Sequence, residues 1–434
     1  MVEINRELFD KIVKVSQSRG FVFNSSSIYG GLRSSYDYGP LGSILKKNIS
    51  EEWWKSLRIN SDANIFPIDT SIIQSTQVWT ASGHLSEFSD PLVECKKCNT
   101  RLRSDKLNEI SCECDEPEFT DPKNFNLMFS TNIGPTENED SKVYLRPETA
   151  QGIFINFENV QRTMRAKLPF GIANIGKSFR NEITPGQFIF RTREFEQMEI
   201  EFFCKPQDSS KWFEFWKEAR MEWYLNLGIS KDYLRFREHT QSELAHYAKK
   251  TVDIEFLYPW GWGELEGIAD RGIYDIEAHQ NASGKDLTYF DAEANLKIVP
   301  NVIEPAAGLT RTVFALLCAS YKEDNVNNET RNFFSFSFNI APVQIGILPL
   351  SKKENLINLA NEINNMLLVK YRTEIDITQS IGKRYRRQDE IGTPYCVTID
   401  FDSLEDSKVT IRDRDTMQQQ RVHIEKLINF FDKY

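Results

Sequence analysis

The 434-residue sequence lacks any apolar run approaching the roughly 20 residues that a bilayer span requires. Its opening stretch, "MVEINRELFDKIVKVSQSRG", is acidic in part and has no uninterrupted apolar segment, so it does not read as a signal peptide. A cytoplasmic protein without membrane attachment is therefore expected. An excess of basic residues is also missing. The net charge of −10 argues against coating nucleic acid non-specifically, although a local basic groove stays compatible with it. Cysteines are few, and seven of them without a secretory leader point to reduced thiols or a metal rather than a disulfide framework. Repeats and low-complexity tracts are absent. What is present is 40% hydrophobic and 27% charged residues, an ordinary globular composition, in a chain long enough for roughly two or three domains.

Four cysteines cluster as Cys95-x2-Cys98 and Cys112-x-Cys114 inside a charged segment, residues 93–122. Closely spaced thiolates of this kind can complete a tetrahedral zinc site; unpaired surface thiols are the alternative. Cys204, Cys318 and Cys396 sit in apolar surroundings and read as core.

The larger N-terminal part, residues 1–338, reads as α+β. "GPLGSILKKNISEEWWKSL" is an amphipathic helix whose start is set by Gly39-Pro40, and "SSKWFEFWKEARMEWYLNLG" is a second, ended by Gly228. Between them lie the strand candidates "KVYLRP", "GIANIGKSFRNE" and "FRTREFEQMEIEFF", joined by turns and so favouring an antiparallel sheet. The polar "EDNVNNET" near Asn325 reads as a linker, and the boundary of a second domain, 339–434, is placed around Asn339. In that domain Ser351-x-x-Glu354 has the pattern of a capping box before a helix bearing Leu356, Ile357, Leu359, Ile363 and Leu367. The strand-like "EIDIT", "YCVTID" and "KVTIRD" alternate with helical segments, and a terminal helix starts near His423, which gives a compact α/β unit.

The stretch Phe179–Glu199, "FRNEITPGQFIFRTREFEQME", mixes arginines, glutamates and aromatic rings around a Thr-Pro-Gly turn. Alternation along a strand puts Arg191, Arg193, Phe195, Gln197 and Glu199 on one face, and Glu194, Glu196, Met198, Ile200 and Phe202 on the other. Arg180 and Glu182 share a face of the first strand. Arginine grips phosphate, an aromatic ring offers a surface to a base, and a carboxylate receives an ammonium. A ligand that is part triphosphate, part purine and part amine would suit such a face. A surface hairpin whose charges pair with one another would show the same alternation.

These residues are not isolated. "FRNE" followed by "FRTREFEQME" resembles motif 2 of the class II aminoacyl-tRNA synthetases, "EPAAGLTRTVFALL" (Glu304 to Leu317) resembles motif 3, and "YDYGPLGSILKKNISEEWW" resembles motif 1. "FVFNSSSIYGGLRSSYDYGPLG", "YLRPETAQGIFINF", "WGWGELEGIADRGIYD" and "SIGKRYRRQDEIGTPYCVTID" narrow the resemblance to the dimeric bacterial-type glycyl-tRNA synthetases, over nearly the whole chain. The resemblance implies an antiparallel sheet flanked by helices, a C-terminal α/β anticodon-binding domain, a homodimer, and ligation of glycine to tRNA(Gly) with ATP and Mg2+. It implies that Arg180, Glu182 and Arg311 are catalytic. ATP would meet Arg180, Asn181, Glu182, Phe190, Arg191, Thr192, Arg193, Glu194, Phe195, Glu264, Leu265, Gly308 and Arg311, with Glu264 and Glu304 near magnesium. Glycine would meet Arg103, Glu148, Phe195, Glu196, Gln197, Met198, Glu199, Glu304, Ala306 and Gly308. Lys383, Arg384, Arg386 and Arg387 would meet tRNA, although such a basic run is also the pattern of a solvated helix face. One departure stands out: the family reads Glu-Pro-Ser where this chain has Glu304-Pro305-Ala306.

Overall fold

A computed structural model describes residues 5–57, 64–107, 112–135, 138, 141–183, 186–245, 247–292, 294–326 and 328–434. Thr184 and Pro185 of the expected turn, and part of the cysteine-rich segment, lie outside the described residues.

The helix begun by Gly39-Pro40 is α1 (Pro40–Ser56), with Gly39 extended at its N-cap and Pro40 in the first turn, where a missing N–H costs nothing. It lies so close to the preceding chain that a Cβ at Gly42 would sit 1.8 Å from the carbonyl oxygen of Phe21, so only glycine fits there. The seven-stranded central sheet contains β1 (Asn64–Pro67), β2 (Phe170–Phe179), β3 (Glu194–Cys204), β4 (Leu234–Glu238), β5 (Lys250–Tyr258), β6 (Gly261–Gly272) and β7 (Asn301–Gly308). Their spatial order is β4-β5-β6-β7-β3-β2-β1, antiparallel throughout except for β1, which pairs parallel with β2 at the edge. Two further helices, α2 (Ser209–Asn226) and α3 (Leu309–Ser320), pack with α1 against one face. Gly228 follows α2 in the left-handed region at φ +99°, the stop that its sequence position implied.

Strand β3 shows why one sheet serves both core and site. Met198, Ile200 and Phe202 alternate onto the helix side and are fully buried with Ile254, Ile268, Ile303, Trp212, Phe314 and Trp53. Gln197, Glu199 and Glu201 alternate onto the opposite side, where the sheet is covered by loops and by the short helices Ala150–Phe154 and Tyr274–Ser283.

The segment read as a linker near Asn325 is instead a hairpin, Tyr321–Val326 against Glu329–Phe334. Its polar residues are used in pairing: Arg331, 4% exposed, binds Asp324, the Oδ2 of Asp389 at 2.9 Å and the carbonyl of Arg414 at 2.9 Å. Polarity signalled a buried ion-pair network here rather than solvent.

Beyond it β8 (Ile345–Pro349), α4 (Glu354–Leu368), β9 (Thr373–Ile375), α5 (Ile381–Glu390), β10 (Tyr395–Ile399), β11 (Lys408–Asp413) and β12 (Gln419–His423) form a second sheet, ordered β9-β8-β10-β11-β12. It has its own core around Ile345, Ile347, Leu356, Ile363, Val397 and Val409. The expected capping box does not form. Lys353 occupies the N-cap of α4, and the Ser351 hydroxyl accepts from the Lys353 N–H at 3.4 Å in the preceding turn. His423 ends β12, and the terminal helix is the shorter Leu427–Phe431. Cys204 and Cys396 are buried as expected, and Cys318 is half-buried. Among the described residues no helix is long and apolar enough to cross a membrane.

Candidate functional site

The open face of the central sheet carries a cleft of about 310 Å³. Its floor is built from cross-strand rows. Asn174, Glu199, Ala306, Gly267 and Asp253 follow one another across β2, β3, β7, β6 and β5. A second row runs Gly176, Gln197, Gly308, and a third Glu304, Ala269, Thr251. Small residues therefore occupy the middle of the floor, and carboxylates stand among them.

One end of the cleft is cationic and aromatic. The loop between β2 and β3 folds through a short 3-10 turn, Phe188–Phe190, and places Arg180 with its guanidinium 5.3 Å from the ring centroids of both Phe88 and Phe195. Arg180 donates from Nε to the Pro147 carbonyl at 3.0 Å, which leaves its two terminal nitrogens directed elsewhere. Arg311, in the first turn of α3, lies 4.6 Å from the Phe190 ring centroid and pairs with Glu264 Oε2 at 3.1 Å. That arginine holds the Glu264 carboxyl below its ordinary pKa.

The other end is buried and acidic. Arg271, 2% exposed, is held by Asp275 at 2.7 Å and 2.8 Å and pairs with Glu304. Gln151 donates to both Glu148 and Asp275 at 3.1 Å, and His84 Nε2 lies 3.3 Å from Glu148 Oε2. Thr149 donates to Glu199. Five carboxyls (Glu148, Glu199, Glu201, Glu304, Asp275) thus surround one guanidinium. Burial, with Glu304 and Glu148 beside it, raises Glu199 to about 8. Burial likewise raises Glu304 to about 7, against the pull of Arg271. For Glu148 burial acts in the same direction, but His84 and Arg271 outweigh it and hold the group below the usual carboxylate range. This end is short of positive charge and suited to receive a cationic group.

Most of the residues expected at the site line this one cleft: Glu148, Arg180, Glu182, Phe190, Arg191, Thr192, Phe195, Glu196, Gln197, Glu199, Glu264, Glu304, Ala306, Gly308 and Arg311. Others do not. β3 begins only at Glu194, so the strand alternation does not extend back to the arginines. Arg193 turns away to the Arg33 carbonyl at 3.3 Å, and Glu194 is exposed and paired with Lys177. Met198 and Leu265 point into the core on the far side of the sheet. Asn181 is tied through its N–H to the Leu127 carbonyl rather than lining the cleft. Arg103 lies outside the lining and is bound by Asp90 and Asp105, each at 2.8 Å. Of the two carboxylates expected near magnesium, Glu264 stands at the Arg311 end, whereas Glu304 is engaged by Arg271 at the buried end.

Sequence reasoning missed His239, Tyr247, Thr251 and Asp253 in the wall and floor, and the supporting Arg271, Asp275, Gln151 and His84. A signal existed for part of this set. Thr251, Asp253 and Glu255 alternate with Val252, Ile254 and Phe256, a two-residue period that marks a polar strand face.

The basic run of α5 is largely occupied. Arg384 is buried and donates to the Pro349 and Asp376 carbonyls at 2.6 Å and 3.0 Å, so it supports the fold and is not available to RNA. Arg386 pairs with Glu329 at 2.9 Å and Arg387 with Asp376, while Lys383 is exposed. The Sγ atoms of Cys95, Cys98, Cys112 and Cys114 all lie within 4.8 Å of one another.

Residues 129–320 match the family model described as tRNA synthetase class II core domain (G, H, P, S and T), and residues 344–434 match the anticodon binding domain model. The chain is 51% identical to the glycine--tRNA ligase of Acetivibrio thermocellus, covering 98% of each chain. It is 52% identical to that of Ruminiclostridium cellulolyticum, over 98% of this chain and 97% of the relative. Against that of Bacillus thuringiensis subsp. konkukian it is 48% identical, with 98% of each covered.

Proposed function

Because the chain belongs to the glycine--tRNA ligase family of class II aminoacyl-tRNA synthetases, we propose that this cleft performs both steps of that ligation. Glycine and ATP would give glycyl-adenylate and pyrophosphate, and the glycyl group would then pass to the terminal adenosine of tRNA(Gly) with release of AMP. The supporting observation is the polarity of a single cleft: Arg180 and Arg311 with aromatic rings at one end, buried carboxylates over a floor of small residues at the other.

Attack of a carboxylate on a phosphate brings two anions together, so the cation between them governs the rate. Arg180, held against the rings of Phe88 and Phe195, would bind the glycine carboxylate and the α-phosphate at once. Phe195 would stack on one face of adenine and Arg311 on the other, and Arg191 would reach the outer phosphates. Glu264 offers an ionised, solvent-accessible oxygen donor at the phosphate end, the kind of ligand Mg2+ takes, and the ion would offset triphosphate charge there. At the opposite end Glu148, Glu199 and Glu304 would receive the ammonium. Ala306 and Gly267, adjacent in the floor row, put no bulky side chain beneath the substrate. A tRNA(Gly) charging assay with labelled glycine tests the whole reading; charging with another amino acid instead would overturn it.

The acidic end predicts a pH dependence. Glu199 and Glu304, raised to about 8 and about 7, hold protons below those values and must release them to face an ammonium. The KM for glycine is expected to fall as pH rises from about 6 to about 8. A pH-independent glycine KM over that range, measured by pyrophosphate exchange, would contradict the assignment.

The four-thiol cluster fits zinc, because sulfur ligands at about 2.3 Å from one ion stand about 3.8 Å apart, and these Sγ atoms lie within 4.8 Å of one another, those of Cys95 and Cys112 at 3.4 Å. Bound there, the ion would staple the segment 93–122. Elemental analysis of the purified protein is expected to give one zinc per chain, falling to none in C95S/C98S. The family reading further implies a cytoplasmic homodimer, with residues 1–338 catalytic and 339–434 engaging the anticodon stem-loop through groups such as Lys383.

A further inference from the structure

We propose that Tyr247 is a specificity-determining residue of the amino-acid end of the cleft, its ring forming the wall opposite the sheet floor and excluding any side chain on the substrate's Cα. The inference rests on reading that end as the glycine subsite. Tyr247 comes not from the sheet but from the connection between β4 and β5, and it lines the same cleft as Ala306, Gly267 and Ala269. Its ring centroid lies 3.7 Å from the Arg271 guanidinium carbon, the closest cation–ring approach among the described residues. Arg271 is in turn fixed by Asp275 and Glu304, so the ring packs on a guanidinium that the carboxylate cluster holds in place. Its phenol sits in the fields of Arg271, Glu304 and Glu148; burial, with the two carboxylates, raises its pKa.

Described residues before and after the ring make contacts that hold this connection to the sheet. His239 Nε2 lies 2.8 Å from Asp253 Oδ2, and the Thr240 N–H donates to Glu243 Oε2 at 2.9 Å. Beyond the ring the Ala248 N–H donates to the Ala245 carbonyl at 2.9 Å, and the Lys249 N–H to the Asp270 carbonyl on β6 at 2.8 Å. A floor of glycine and alanine is by itself permissive, since removing side chains from a floor makes room. Exclusion of a methyl group needs a rigid second wall, and the clamped ring of Tyr247 supplies it. Steric rejection of a larger substrate is effective only when the wall cannot retreat.

The test compares kcat/KM for glycine and for alanine in amino-acid-dependent ATP–pyrophosphate exchange. In Tyr247→Ala the alanine-to-glycine ratio is expected to rise about tenfold or more, whereas in Tyr247→Phe, which keeps the ring, it stays within about threefold of the unsubstituted enzyme. If Tyr247→Ala does not fold, Tyr247→Leu is expected to shift the ratio in the same direction by a smaller factor. A parallel fall for both amino acids with an unchanged ratio would show that the ring only supports the fold, and would overturn this inference alone. Absence of glycine-dependent exchange in the unsubstituted enzyme would overturn the subsite assignment itself and the inference with it.

Discussion

Arg180→Ala is expected to lower glycine-dependent ATP–pyrophosphate exchange by about 10³-fold or more, the loss seen when a preorganised cation is removed from a phosphoryl-type transition state. Among the described residues the side chain is held by one hydrogen bond to the Pro147 carbonyl and by two rings rather than by a carboxylate partner. Its charge is thus kept for a ligand, and its removal leaves no buried anion unpaired. Stability is expected to change by less than about 1 kcal/mol, because no paired buried charge is broken. Binding of tRNA(Gly), which would draw largely on the anticodon-binding domain at 344–434, should change by less than about threefold. Retained exchange in the variant would remove Arg180 from the mechanism. Arg180→Lys should recover little of the rate, since an ammonium cannot bridge a carboxylate and a phosphate with the planar fork of a guanidinium.

Arg271→Met is expected to destabilise the protein by about 3–5 kcal/mol, the cost of removing one partner from a buried charge network. Here the partners left behind are Asp275 and Glu304, with Glu199 and Glu148 close by. The pH dependence gives this prediction its sign. Glu199 and Glu304 already have raised pKa values, and without Arg271 they would hold protons more firmly still. The protonated forms need no cation, so the loss should be largest above about pH 8 and smaller near pH 6. Urea unfolding midpoints of the two proteins at both pH values measure this. A destabilisation below about 1 kcal/mol, or one that grows on acidification, would contradict the description of the buried cluster.

How much of this was legible in the sequence depends on which physical signal each part left. The two-faced strand around Met198 and Glu199 could be read from its two-residue period, and the start of α1 from Gly39-Pro40, because both are local rules. The start of β3 could not. Arg191 and Arg193 continue the same alternation on paper, but the chain turns through Phe188–Phe190 before Glu194, and so only Arg191 reaches the cleft. The polar stretch before Arg331 reads as a linker and the basic run at Arg384 as a tRNA contact, whereas Arg331 and Arg384 are buried and spend their charge on ion pairs and carbonyl contacts between distant segments. Arg271 and Asp275 lie only four residues apart, but their place beside Tyr247 leaves no local pattern, since it arises where β6, the helix Tyr274–Ser283 and the connection after β4 converge.

One cleft is expected to join a small amine-bearing acid to ATP and to accept only glycine. ATP–pyrophosphate exchange measured with each of the common amino acids in turn tests it most directly. Exchange above background with glycine alone, and none with alanine or serine, is the predicted result. Comparable exchange with alanine, or none with glycine, would contradict it.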